Sequence, residues 1–229
     1  MDLIWLIPIC FGAYIIGNIN FSVMISRRKN KDIRAQGSGN PGATNMLRSF
    51  GFKWALAIFL LDASKGAVAA FVGRIVFGWD TDYGMIALFA VGFSAVIGHC
   101  FPVFYKFKGG KGVSTIIGVF AIANPIVAVI GFFAGFIYGL IWEYASMASL
   151  IAISIPAIYH SITSSHLMSV TIMLVGFYFF ICFMHRKNIY RLLLGNENKA
   201  SMLAKLKKKS IARKQQQWAK EFNAKKAEG

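Results

Sequence analysis

Acidic side chains are scarce: nine Asp and Glu stand against 25 Lys and Arg in 229 residues, for a formal net charge of +16. Carboxylates so few and dispersed leave no metal site evident, and neither a metal nor a cofactor is expected. Cysteine is equally thin. Cys10, Cys100 and Cys182 each lie inside an apolar run, an odd number without the spacing of a disulfide framework or a zinc site, and they read as small hydrophobes. Charge of either sign makes up only 15% of the chain, whereas 56% is hydrophobic. What is present, then, is a set of long apolar stretches with the charge confined to the gaps, the composition of an integral membrane protein. The first run, residues 3–25, also lacks a basic flank ahead of it and a small-residue cleavage site, so it is expected to be a retained span.

A spanning helix needs roughly 20 predominantly apolar residues. Residues 3–25 supply the first, interrupted at Gly17-Asn18-Ile19-Asn20, whose amides should face protein or a cavity. Residues 54–79 supply the second, with Asp62 and Lys65 three apart on one helical face; a structural ion pair and a place in a site are both open for them. After the acidic turn Asp80-Thr81-Asp82-Tyr83 comes a third span over 84–105. The run 113–141 is too long for one comfortable span and is split by Asn124-Pro125, which predicts two short helices; a five-span alternative would need one helix across that break. Spans at 150–160 and 167–184 follow, with His160 and His166 expected at the interface around a Ser/Thr-rich turn.

Lys and Arg crowd the gaps at Arg27–Lys53, Lys106–Lys111 and Arg186–Arg191 and are missing from the Asp80 and Ser161 turns, which makes the basic gaps cytoplasmic. The expectation is an all-α integral membrane protein with about seven transmembrane helices, the amino terminus outside and the carboxyl terminus inside. Residues 1–198 form the transmembrane domain and 199–229 a basic cytoplasmic tail. The tail's expected partner is anionic membrane lipid, with no nucleic acid expected, although ribosome or nucleic-acid binding would look similar from charge alone.

Two polar stretches stand out between the spans. Gly37-Ser38-Gly39-Asn40-Pro41-Gly42-Ala43-Thr44-Asn45-Met46-Leu47-Arg48 combines glycines, hydroxyls, amides and an arginine. Such a backbone can approach a ligand closely and turn successive N–H groups on an anion, while Arg48 grips an oxyanion with two prongs. Its Gly-x-Gly-x-x-Gly pattern is no dinucleotide fingerprint, because a charged loop rather than a strand precedes it. Taken alone, a tight surface turn without a ligand would explain it as well. The second stretch, Lys106-Phe107-Lys108-Gly109-Gly110-Lys111-Gly112-Val113-Ser114-Thr115, is also anion-shaped and lacks the glycine and hydroxyl placement of a Walker A loop. Two such bends argue for convergence on one site.

The first stretch, together with Gly98-His-Cys-Phe-Pro-Val-Phe104, Phe107-Lys-Gly-Gly-Lys-Gly112, His185-Arg-Lys-Asn188 and Gly195-Asn-Glu197, resembles the bacterial acyl-phosphate:glycerol-3-phosphate acyltransferases, the PlsY family. The chain departs from the family at Asn18-Ile19-Asn20, where Ser-x-Pro is usual, and at Glu143, where an arginine is usual. The resemblance implies transfer of a fatty acyl group from acyl phosphate to the 1-hydroxyl of sn-glycerol 3-phosphate, giving lysophosphatidic acid and phosphate, at the cytoplasmic side of a bacterial inner membrane. It places His185 and Asn188 at the chemistry with Ser38. Either His185 is the general base or the acyl phosphate takes the proton while His185 and Asn188 orient the acceptor. Arg48, Lys111, Gly109, Gly110 and Gly112 are expected on the glycerol phosphate, and Ser38, Asn40, Gly42, Thr44 and Ser146 on the acyl phosphate. Asn45, Lys65 and Glu197 complete the expected substrate-binding set. The His-x-x-x-x-Asp signature of thioester-using acyltransferases is missing at all four histidines, which favours an acyl phosphate donor. The competing readings are a transporter for a phosphorylated solute, which would favour internal repeats and a midplane site, and a membrane tether acting through the tail.

Overall fold

A computed structural model describes residues 3–199 and residue 215. The tail expected to meet anionic lipid therefore lies almost wholly outside the described residues. Those described form helices α1 (Leu6–Gly17), α2 (Phe21–Arg28), α3 (Ala43–Phe50), α4 (Phe52–Phe77), α5 (Asp82–Cys100), α6 (Val113–Ala123), α7 (Pro125–Trp142), α8 (Ala145–Thr163), α9 (Met168–Met184) and α10 (Arg186–Leu193), and no strand. The all-α membrane architecture is thus as expected. Among the described residues five segments are long and apolar enough to cross a bilayer: Leu6–Arg28, Phe52–Phe77, Asp82–Tyr105, Pro125–Trp142 and Ala145–Thr163. Met168–Met184 qualifies only together with α10, from which it is bent by 63°, and Val113–Ala123 is a shorter apolar helix.

Local chemistry sets the breaks. Asn20 caps α2 by accepting from Val23 N at 3.1 Å, so the amide standing where the family usually has proline starts a helix. Asn124 caps α7 by accepting from Val127 N, and Pro125 fills the first helical position, where its missing N–H costs nothing; the single helix of the five-span alternative does not form. Thr81 caps α5 through Gly84 N at 3.0 Å.

The main core joins α5, α6, α8 and α9 through Phe89, Phe93, Phe120, Ile153, Leu174 and Ile181, with the Phe93 and Phe177 rings stacked at 3.7 Å. A second cluster, Val23, Ile33, Met46, Ala55 and Ile58, fastens α2 and α3 to α4. Without a strong hydrophobic drive between helices in lipid, close backbone approach matters more. A Cβ at Gly98 would overlap Tyr14 O, and one at Gly66 would overlap Thr115 O, so α1 lies on α5 and α4 on α6 almost backbone to backbone. His160, in the last turn of α8, is 3% exposed and packed against Phe89, Phe120 and Tyr159. His166 is exposed and pairs with Asp82 at 3.4 Å.

Candidate active site

Both glycine bends, the bend after α9 and the start of α8 open on one cavity of about 280 Å³. Its polar wall includes Ser38, Asn40, Gly42, Thr44, Asn45, Arg48, Lys111, Gly112, Ser146, His185, Asn188 and Glu197. An apolar arm continues from it between Phe59 of α4, Ile117 of α6, Phe132, Phe136 and Leu140 of α7, and Ala152 of α8.

The first bend is built from inside. Gly37 and Gly39 take left-handed φ values of 53° and 71°. Asn45, 1% exposed, accepts from Ser38 N at 3.0 Å and donates to Ile33 O and Gln36 O at 3.1 and 2.9 Å. Its amide is therefore engaged by the bend itself and shapes the cradle that it also lines. Ahead of it, the Arg34 guanidinium holds the Asp32 carboxyl well below the usual carboxylate range. The bend ends at the N-terminus of α3, whose first N–H groups have no intrahelical acceptor and whose dipole favours an anion.

The second bend repeats that logic. Gly109 N and Gly110 N donate to Cys100 O and His99 O at 3.2 and 3.1 Å, which seats both glycines on the end of α5 and away from the cavity wall. They position the bend without lining the cavity themselves. Gly112, with φ 84°, then turns the chain into α6, so a second helix N-terminus and Lys111 face the cavity. Lys65 also differs from expectation: its ammonium is held by Gly17 O, Ile19 O, Asp62 and His99, and it does not line the cavity.

The third wall is a hydrogen-bonded chain. Lys111 Nζ donates to Asn188 Oδ1. Asn188 Nδ2 donates to Glu197 Oε1 at 2.6 Å, Ser146 Oγ donates to the same oxygen at 3.0 Å, and Arg191 Nε donates to Oε2 at 2.8 Å. Glu197 thus holds the wall together. Ser146 lines the cavity with its hydroxyl bonded to Glu197. Burial works to raise the Glu197 pKa, but the bonds from Asn188, Ser146 and Arg191 and the Arg191 charge hold it below the usual carboxylate range. Burial pushes the Lys111 ammonium down to about 8, opposed by Glu197 and reinforced by Arg191 and Arg48. Burial likewise lowers Arg48, which donates to Asn198 O at 3.2 Å.

His185, 2% exposed, sits at the corner between α9 and α10, and Asn188 N donates to its carbonyl at 2.8 Å. The ring Nδ1 lies 2.9 Å from Ile181 O, a carbonyl that only accepts. This assigns the proton to Nδ1 and leaves Nε2 as the acceptor. Sequence reasoning missed three contributors: the two helix N-termini, for which the glycines before Ala43 and Val113 were the available signal; Arg191, the partner of Glu197; and the apolar arm, whose aromatic residues look like any lipid-facing stretch. Among the described residues no group of three or more His, Cys, Asp or Glu is placed to hold a metal ion.

Fold and site define a multi-pass helical membrane protein that places a cationic cradle beside an apolar groove. The family described as glycerol-3-phosphate acyltransferase matches residues 7–195. The glycerol-3-phosphate acyltransferase of Aquifex aeolicus is 38% identical over 187 residues, covering 82% of this chain and 95% of that one, and the enzyme of Halalkalibacterium halodurans is 39% identical over 206 residues, covering 87% and 96%. The crystal structure of PlsY, an integral membrane glycerol 3-phosphate acyltransferase, in its glycerol 3-phosphate form is similar with a TM-score of 0.79 at 36% identity, covering 88% of this chain and 98% of that one. Its lysophosphatidic acid form gives 0.75 at 35%, covering 85% and 94%. The chain belongs to the glycerol-3-phosphate acyltransferase family, as its three separated motifs imply.

Proposed function

We propose that this acyltransferase takes its acyl group from acyl phosphate and passes it to the 1-hydroxyl of sn-glycerol 3-phosphate, releasing lysophosphatidic acid and phosphate. The observation that carries this reading is the joining of two helix N-termini and two basic side chains to one apolar arm. Arg48, Lys111 and the Gly112 bend take the glycerol phosphate. Ser38, Asn40, Gly42 and Thr44, at the start of α3, take the phosphate of the donor, and its chain follows the arm past Leu140 and Phe136. The hydroxyl oxygen attacks the acyl carbonyl carbon, the bond from that carbon to the phosphate oxygen breaks, and phosphate leaves with the bonding pair. His185 Nε2, free to accept, takes the hydroxyl proton directly; Asn188 orients the acceptor beside Lys111. The basic bends face the cytoplasm of a bacterial inner membrane, and the five long apolar segments, together with α9 and the short α6, bring the chain across seven times with the amino terminus outside.

The test is turnover by purified protein supplied with palmitoyl phosphate or palmitoyl-CoA and labelled glycerol 3-phosphate. Lysophosphatidate should form from the phosphate donor alone. His185→Ala and Arg48→Ala should each lower turnover on the order of 100-fold or more while the thermal unfolding profile is kept. Normal turnover by either variant refutes its role, and equal use of the thioester refutes the donor assignment.

A further inference from the structure

Lys65 lies in the membrane-spanning part of α4 at 4% exposure, a costly place for a charge unless it is fully surrounded. Its ammonium is 3.2 Å from Gly17 O, 2.9 Å from Ile19 O, 2.9 Å from His99 Nδ1 and 2.9 Å from Asp62 Oδ1. These partners come from the break in the first span, from α4 itself and from the last turn of α5. The two carbonyls are ones that the break at Asn18 leaves over, so the ammonium caps a helix end as well as pairing with a carboxylate.

His99 extends the cluster toward the site. An ammonium only donates, so Nδ1 is the acceptor and the imidazole proton lies on Nε2. The Nε2 side of the ring lies so close beneath Gly110 that a Cβ at that position would overlap it. Gly110 N is in turn bonded to His99 O, and the next residue is Lys111. The start of the same loop is tied to the broken span by the Tyr14 hydroxyl, which donates to Phe101 O at 2.9 Å, and by Asn18 Oδ1, which accepts from Val103 N. Both the entrance and the exit of the bend are therefore registered against the first-span break, and the exit runs through Lys65.

We propose that Lys65 is a positioning residue for the acceptor site: anchored by the first-span break and Asp62, it fixes the His99 ring, the ring props Gly110, and the prop sets where Lys111 meets the phosphate of glycerol 3-phosphate. This rests on the reading of Lys111 as a phosphate ligand. A purely structural ion pair would affect the fold but would have no selective link to one substrate.

The test is a binding cycle on the full-length protein in detergent, with glycerol 3-phosphate titrated calorimetrically. Combining Asp62→Asn with Lys65→Met removes both charges, so that neither is stranded. This variant should bind glycerol 3-phosphate on the order of tenfold more weakly, with kcat at saturating acceptor and KM for palmitoyl phosphate each within about threefold of the parent. Added to Lys111→Ala, the same pair should weaken binding no further, because its effect runs through Lys111. His99→Gln leaves the Asp62–Lys65 pair intact and should weaken acceptor binding similarly, which keeps the test open if the charge-free variant does not fold. Unchanged binding in the folded variants, or a loss that adds fully to that of Lys111→Ala, overturns the proposal while Lys111 keeps its role. Unchanged binding by Lys111→Ala overturns both.

Discussion

Lys65 and Lys111 carry the same ammonium on either side of Gly110, and their surroundings give them opposite uses. Lys65 is enclosed by two backbone carbonyls, a carboxylate and an imidazole nitrogen. Lys111 bonds one side chain, Asn188, and faces a cavity. A cation whose donors are all taken braces the fold. A cation with donors left over, held beside a wall that already has its own carboxylate, is available to a ligand.

The sharpest way to break this contrast is to remove each charge singly. Lys111→Met should lower kcat/KM for acylation by about 100-fold or more while shifting stability by less than about 1 kcal/mol, because it deletes a ligand. Lys65→Met should act on the fold first: by stranding the buried Asp62 carboxylate it should cost about 3–5 kcal/mol, read as a lower thermal midpoint in detergent, with the loss of acceptor binding staying at about the tenfold expected of a positioning residue. Equal loss of stability in the two would erase the distinction.

The pH dependence sharpens the comparison further. Lys111, held at about 8, loses its charge as pH rises through that value. Binding of a phosphate dianion requires the charged form, so KM for glycerol 3-phosphate should climb above pH 8, approaching about tenfold per unit, and be flat below it on this account. A variant carrying Lys111→Arg should lose the climb, since guanidinium stays protonated. A smaller effect comes from the helix break that Lys65 clasps: Asn20→Ala should cost about 1 kcal/mol through loss of the cap on α2. Smallest of all, truncation after Asn198 should leave turnover within about twofold, because among the described residues the polar wall runs no further than Glu197 and the Asn198 carbonyl that meets Arg48 is retained.

The same contrast explains how much could be read from the residues. The apolar runs, the split at Asn124-Pro125 and both glycine bends were legible because each depends on local rules: run length, proline geometry and glycine torsions. The gathering of both bends on one cavity followed from their shared chemistry. The role of Lys65 was not legible. Its three-residue spacing from Asp62 gives a common helical face, but the carbonyls of Gly17 and Ile19 and the ring of His99 reach it only through packing of α1 and α5. The seating of Gly109 and Gly110 on the end of α5 was hidden for the same reason, since a glycine that seats a loop on a helix end and one that opens a loop to a ligand are spelled alike. Ser146 and Glu197, 51 residues apart, meet only once α8 and the segment after α10 lie side by side.

Helix α6 has 11 residues and so rises about 16 Å, roughly half the thickness of a bilayer's hydrocarbon layer. One end, at Asn124, shares its neighbourhood with the Asp80 and Ser164 turns, and the other, at Gly112, borders the cavity. In the orientation we propose, so short a helix sinks the floor of the cavity below the head groups, like the bottom of a well. In the reaction we propose, a water-soluble acceptor would descend into it and a lipid donor would reach it from the side with its chain still among its neighbours, so that neither reactant would leave its own phase for the bond to form.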